Sequence, residues 1–135
     1  MHTCKVLLFF SLFFLSSCNN VNFMLNNEDV SSAIKQITEA ETRYKADSGR
    51  YGSLHELYEK GLISKNLTKE IYSGHKLEFS LTDNGYVFTV TPVKYGNAST
   101  GTGILSLYTD ESREVRGDDK KGAKANKSDP FLQKN

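Results

Sequence analysis

Cysteine is nearly missing from this chain, and the two present, Cys4 and Cys18, both fall within its first eighteen residues. The body that follows therefore has no route to an internal disulfide or a thiolate metal site. An excess of charge is missing as well. Seventeen basic residues face sixteen acidic ones, and loss of Lys5 with a cleaved leader leaves sixteen of each. A nearly neutral chain has no general electrostatic reason to bind nucleic acid. Nor is there an apolar run that spans a bilayer. Residues 6–15 are Leu, Phe and Val broken only by Ser11, about half of the roughly 20 residues a membrane helix needs. At 135 residues the chain has room for one domain.

Catalytic patterns are absent too. Glu39 and Glu41 stand two apart and diverge on a helix, so they make no acid and base pair. Ser48, Ser53 and Ser112 lie in turns with no nucleophile-elbow sequence around them. His55 and His75 have no His, Cys or carboxylate at ligand spacing and read as exposed or capping residues; His2 belongs to the leader. No glycine-rich loop follows a strand and opens a helix. The sequence reading is thus not an enzyme, with no catalytic residue, no metal and no cofactor.

What the chain does contain begins with a leader. Lys5 and the amino terminus form a basic start, residues 6–15 an apolar core, and Ser16 and Ser17 a small-residue site. Leu15-Ser16-Ser17-Cys18 resembles the bacterial lipobox. The resemblance implies cleavage between Ser17 and Cys18, then a diacylglycerol thioether on the Cys18 sulfur with acyl chains of the palmitate kind. The competing reading is an ordinary signal peptide in which Cys18 is incidental. Asn19, rather than the aspartate linked to inner-membrane retention, follows the cysteine. The implied location is the cell envelope, with the outer membrane preferred, on its periplasmic face or the cell surface.

Past an Asn-rich tether (18–27), Val30, Ala33, Ile34, Ile37, Ala40 and Tyr44 recur at steps of three and four. That spacing predicts one amphipathic helix, with Lys35, Glu39, Glu41 and Arg43 on its polar face. Ser53 and Glu56 have the capping-box form for a second, short helix. From Lys76 the period changes to two: residues 77–81 and 86–91 alternate around Thr82-Asp83-Asn84-Gly85, a hairpin signal. Residues 104–109 and 113–116 predict a third and fourth strand. Residues 118–135, with Lys120, Lys121, Lys124, Lys127 and Lys134, read as a polar, flexible tail. Six of the seven tyrosines, at 44, 51, 58, 86, 95 and 108, read mostly as rings edging the core with wet hydroxyls.

Residues 34–57, IKQITEAETRYKADSGRYGSLHEL, together with GYVFTVTP at 85–92 and GILSLYTDESREVR at 103–116, resemble the head domain of type IV pilins and type II secretion pseudopilins. The resemblance implies a long helix packed on a small antiparallel sheet of three to four strands, an α+β fold over residues 28–117. It implies a non-enzymatic structural or interaction module, accessory to type II secretion or type IV pilus assembly, with pilin or pseudopilin-like proteins as partners. The chain departs from the family where a prepilin site and a long apolar half-helix should stand, since a lipobox occupies that place. Major pseudopilins also carry a calcium loop with a DPWG-type motif. Asp118, Asp119 and Asp129-Pro130 match part of it, but Phe131 replaces the tryptophan and no glycine follows. The alternative is a stand-alone surface lipoprotein that binds a ligand or host molecule. In either reading residues 1–17 are the signal peptide and the membrane is met through Cys18.

Overall fold

The computed structural model describes residues 28–97 and 99–135. The leader, the Ser17–Cys18 cleavage point, the lipid attachment at Cys18 and the tether all lie outside the described residues.

The first element is a 21-residue helix, α1 (Glu28–Ser48), with Glu28 and Asp29 in its first turn, where negative charge complements the helix dipole. Gly49, at φ 77°, closes it in the left-handed conformation and returns its N–H to the Lys45 carbonyl at 2.8 Å. One stripe of α1 is buried: Val30, Ala33, Ile34, Ile37, Ala40 and Tyr44, joined by Thr38 and Glu41. Glu41 corrects the sequence reading, which set it on the polar face with Glu39. It follows Ile34 by two turns and precedes Tyr44 by one, so helical geometry turns it into the core. Helix α2 (Leu54–Glu59) follows, with Ser53 and Glu56 forming a complete capping box and Leu57 fully buried. A 3₁₀ turn at Lys65–Thr68 buries Leu67.

The strands are β1 (Ile71–Tyr72), β2 (His75–Leu81), β3 (Tyr86–Pro92), β4 (Leu105–Asp110), β5 (Glu114–Asp119) and β6 (Phe131–Lys134). They form one six-stranded sheet in sequence order, with every pairing antiparallel. The expected three-to-four-stranded α+β plan is therefore wrong: one long helix lies on a larger, sheet-rich fold. Two short edge strands make the difference. β1 is two residues long and turns into β2 through Ser73 and Gly74, both at positive φ (49° and 75°). β6 comes from the polar stretch read as a tail. It pairs with β5 by matching Val115 to Gln133, with Leu132 packed against the core. β5 itself runs on through Gly117, Asp118 and Asp119.

The core lies between α1 and one face of the sheet. The registers Leu77↔Val90, Phe79↔Phe88, Leu107↔Val90 and Leu107↔Gly117 put these residues on that face, where they meet Ile34, Ile37, Leu57 and Leu67. Complete burial of an Ile, Leu or Phe contributes about 1.5–3 kcal/mol, and Ile34, Ile37, Leu57 and Phe88 are each at most 1% exposed. The opposite face carries Glu78, Thr89, Ser106 and Tyr108. The 120–130 connection folds back across it: Ser106 Oγ donates to the Ala123 carbonyl at 2.6 Å, and the Lys124 ammonium meets Glu78 at 3.0 Å. Burial of Thr89, Ser106 and Tyr108 follows from that cover.

Candidate functional site

Glu41 is a carboxyl pushed well above its ordinary value, and its surroundings come from residues 34–57, one of the stretches that carry the family resemblance. From the buried stripe of α1 its Oε2 accepts the backbone N–H of Gly52 at 2.9 Å. Its Oε1 is equally enclosed and has no partner among the described residues. Gly52 is glycine for lack of room: a Cβ there would stand 2.9–3.2 Å from ring atoms of Tyr44. The Tyr44 hydroxyl accepts from Arg50 at 3.3 Å, and Arg50 grips both carboxylate oxygens of Glu56, at 2.6 and 3.2 Å. Glu56 closes the circuit by accepting the Ser53 N–H at 2.8 Å. Lys45 sits over the Tyr51 ring, which meets the Tyr86 ring edge to face with the two centroids 5.2 Å apart.

Burial, more than any neighbour, raises the Glu41 carboxyl to about 7; the Gly52 N–H works against that rise and the nearby Glu56 charge adds to it. Glu56, with its Arg50 and Ser53 partners, is held down at about 2. A raised carboxyl is often a catalytic acid. Glu41, however, is 0% exposed, so no substrate atom reaches it. What the arrangement does chemically is fasten the α1 end to α2.

The other candidates scatter. His55 is exposed on α2 and faces Glu59 at 3.9 Å. His75, expected at the surface, is buried at 4% exposure, and its Nδ1–H donates to the Ser73 carbonyl at 2.9 Å. The reason is its register against Pro92, which places it in phase with Leu77 on the core face of the sheet. Ser53 caps α2, and Ser112 donates to Asp110 at 2.6 Å in the turn before β5. Tyr44, Tyr86 and Tyr108 are buried, Tyr51 half-buried, and Tyr58 and Tyr95 exposed.

The aspartates that match part of a calcium loop do not converge. Asp129 binds the Lys120 ammonium at 2.8 Å and the Asn126 N–H at 2.8 Å. Asp119 binds Lys121 and Tyr95, at 3.1 and 3.0 Å. Among the described residues no three His, Cys, Asp or Glu stand close enough to hold a metal ion, and no helix is long and apolar enough to cross a membrane. A shallow hollow of about 220 Å³ opens on the outer sheet face between Glu78, Phe79, Ser80, Val87, Thr89 and Lys124. Its one carboxylate, Glu78, is already engaged by Lys124 and Lys76.

Sequence reasoning missed Glu41, although its place between Ile34 and Tyr44 in the stripe was a signal. It missed the role of Gly52, for which a sequence carries no steric signal. No protein-family model, no curated protein and no solved structure matches this chain.

Proposed function

We propose that this protein is an envelope lipoprotein, acylated at Cys18, whose folded part is a non-enzymatic structural or interaction module of pilin or pseudopilin type, accessory to a secretion or pilus assembly. One observation supports this above the rest. Within residues 34–57, one of the stretches that carry the resemblance, Glu41, Tyr44, Arg50, Gly52, Ser53 and Glu56 are engaged with one another in a single joint. A motif used to brace a helix against its successor is the mark of a scaffold, whereas a catalytic motif leaves a polar group facing a cleft. The outer membrane is the proposed location, on the strength of Asn19 after the cysteine.

Two measurements test this. The mass of the protein from native membranes should correspond to a chain starting at Cys18 with diacylglycerol and acyl mass added, and Cys18→Ala should abolish that mass. A chain starting elsewhere without lipid removes the anchor. Cross-linking in the native envelope should then capture pilin or pseudopilin-like subunits. Capture of none, with the anchor intact, moves the protein to a stand-alone surface lipoprotein.

A further inference from the structure

The two ends of the domain differ. At the first, Asp29 in the opening turn of α1 accepts the Ser73 hydroxyl, the Val93 N–H reaches the Gly74 carbonyl at 3.0 Å, and the Thr102 side chain lies against Gly74. These contacts gather the start of α1, the β1–β2 turn and the β3–β4 connection. At the second end lie the Glu41–Gly52 joint, the Tyr51–Tyr86 ring pair, and Glu111 against Gly85.

The first end exposes large apolar side chains on a stiff support. Val93 is 56% exposed, Tyr95 37%, and Ile71, two residues before Ser73, 49%. The connection bearing Val93 and Tyr95 is tied across itself by Gly96 N–H to Gly103 carbonyl at 2.9 Å and Thr102 N–H to Lys94 carbonyl at 2.8 Å. Tyr95 is fixed further: its hydroxyl donates to Asp119 at 3.0 Å and accepts from the Lys121 ammonium at 3.0 Å.

Resting on the proposed anchor at Cys18, we propose that this end is a lipid-facing surface that seats Val93 and Tyr95 in the headgroup layer of the bilayer holding the chain. The length of chain before α1 identifies the occupant. Residues 19–27 separate Cys18 from Glu28, a reach of about 30 Å at full extension and about 15–18 Å as a relaxed coil. α1 then carries the chain about 31 Å, at about 1.5 Å per residue, toward the opposite end. The Val93 end is therefore held against lipid, and the Glu41 end stands a helix length farther out. The side chains suit that boundary. A tyrosine ring lies in the apolar margin with its polar end outward, here held by Asp119, whose charge Lys121 offsets, and the ammonium group of Lys94 reaches the phosphates.

Leu81 supplies the control, because it is 45% exposed and sits at the far end beside Tyr86. The mature acylated protein, carrying an environment-sensitive fluorophore on Val93→Cys or on Leu81→Cys, is reconstituted with phosphatidylethanolamine–phosphatidylglycerol vesicles and floated on a density gradient. The expected result is that both proteins float, while only the label at 93 shifts to the blue and is quenched by spin-labelled lipid. Flotation with equal emission at both positions overturns the lipid-facing surface and leaves the anchor standing. Failure to float removes the anchor, and the surface falls with it. A blue shift at 93 that persists without vesicles and grows with protein concentration assigns the patch to a second copy, which also overturns the proposal.

Discussion

Glu41 and Gly52, eleven residues apart, are joined by a 2.9 Å hydrogen bond inside a site that water does not reach. The carboxyl receives one backbone donor and, among the described residues, has no cation of its own, because the nearby guanidinium of Arg50 is committed to Glu56 and to the Tyr44 hydroxyl. Tyr51, Tyr86 and Glu56 also face it. Each makes a negative charge at Glu41 less welcome or leaves it unrelieved.

The fold should therefore lose stability as the pH rises. Below the ordinary carboxylate value of 4.5, folded and unfolded chains both carry the proton on Glu41, and the fold bears no penalty. As the pH rises through about 7 the folded chain must surrender a proton that the unfolded chain has already released. The loss is on the order of 3 kcal/mol across that window. Denaturant midpoints measured along a pH series should fall for the native chain and stay nearly level for Glu41→Gln, which keeps an oxygen for the Gly52 N–H. A level native profile would show that the carboxyl finds a cation or water on ionising.

Gly52→Ala should destabilise the domain by about 1–3 kcal/mol, the usual cost of forcing a methyl into a filled site. The obstacle is the Tyr44 ring, 2.9–3.2 Å from the added carbon. Tyr44→Leu in the same chain should recover part of the loss. Additive effects of the two changes would mean that the ring is not what excludes the methyl.

Ser53→Ala removes the Oγ that accepts the Glu56 N–H at 3.2 Å and leaves α2 uncapped. Loss of a cap costs about 1 kcal/mol, and chemical denaturation reads it directly. Amide exchange should quicken at Glu56 and Leu57 before it changes in β3. Uniform quickening would place α2 inside the last cooperative unit to open.

A chain ending at Pro130 lacks β6 and with it the half-buried Leu132. The expected loss is on the order of 1–2 kcal/mol, in line with a leucine covered on one side. Exchange of β5 amides should accelerate while those of β2 and β3 hold. An unchanged β5 would mean that β6 adds pairing without protection.

The parts of this fold that the sequence made legible are those with a period. The three- and four-residue recurrence from Val30 to Tyr44 marks α1, and the alternation on both sides of Asn84-Gly85 marks β2 and β3. β1 is too short to show a period, and its turn uses Ser73 at φ 49° where asparagine or glycine would have signalled it. The end of β5 was hidden by Gly117, a poor strand former with a reason to be there. A Cβ at that position would stand 2.5 Å from the Ser106 carbonyl oxygen and 2.8 Å from Leu107. β6 looked like a tail because it is an edge strand with Phe131 53% exposed, so its composition is that of a surface. Glu41 was misread for a related cause, since a charged side chain in the apolar stripe contradicts the rule that identifies the stripe.

The sheet runs from β1 to β6 in the order of the chain. Every strand therefore meets its partner through the next turn or connection, and the loop-closure entropy that slows β-rich folding is met in small steps. Seating α1 is the distant step, bridged by Asp29 and Ser73 across 44 residues. Such wiring predicts a fast, locally determined zippering of hairpins ahead of docking of the helix. The docking step is the one through which a change in α1 would govern how quickly the native state is reached.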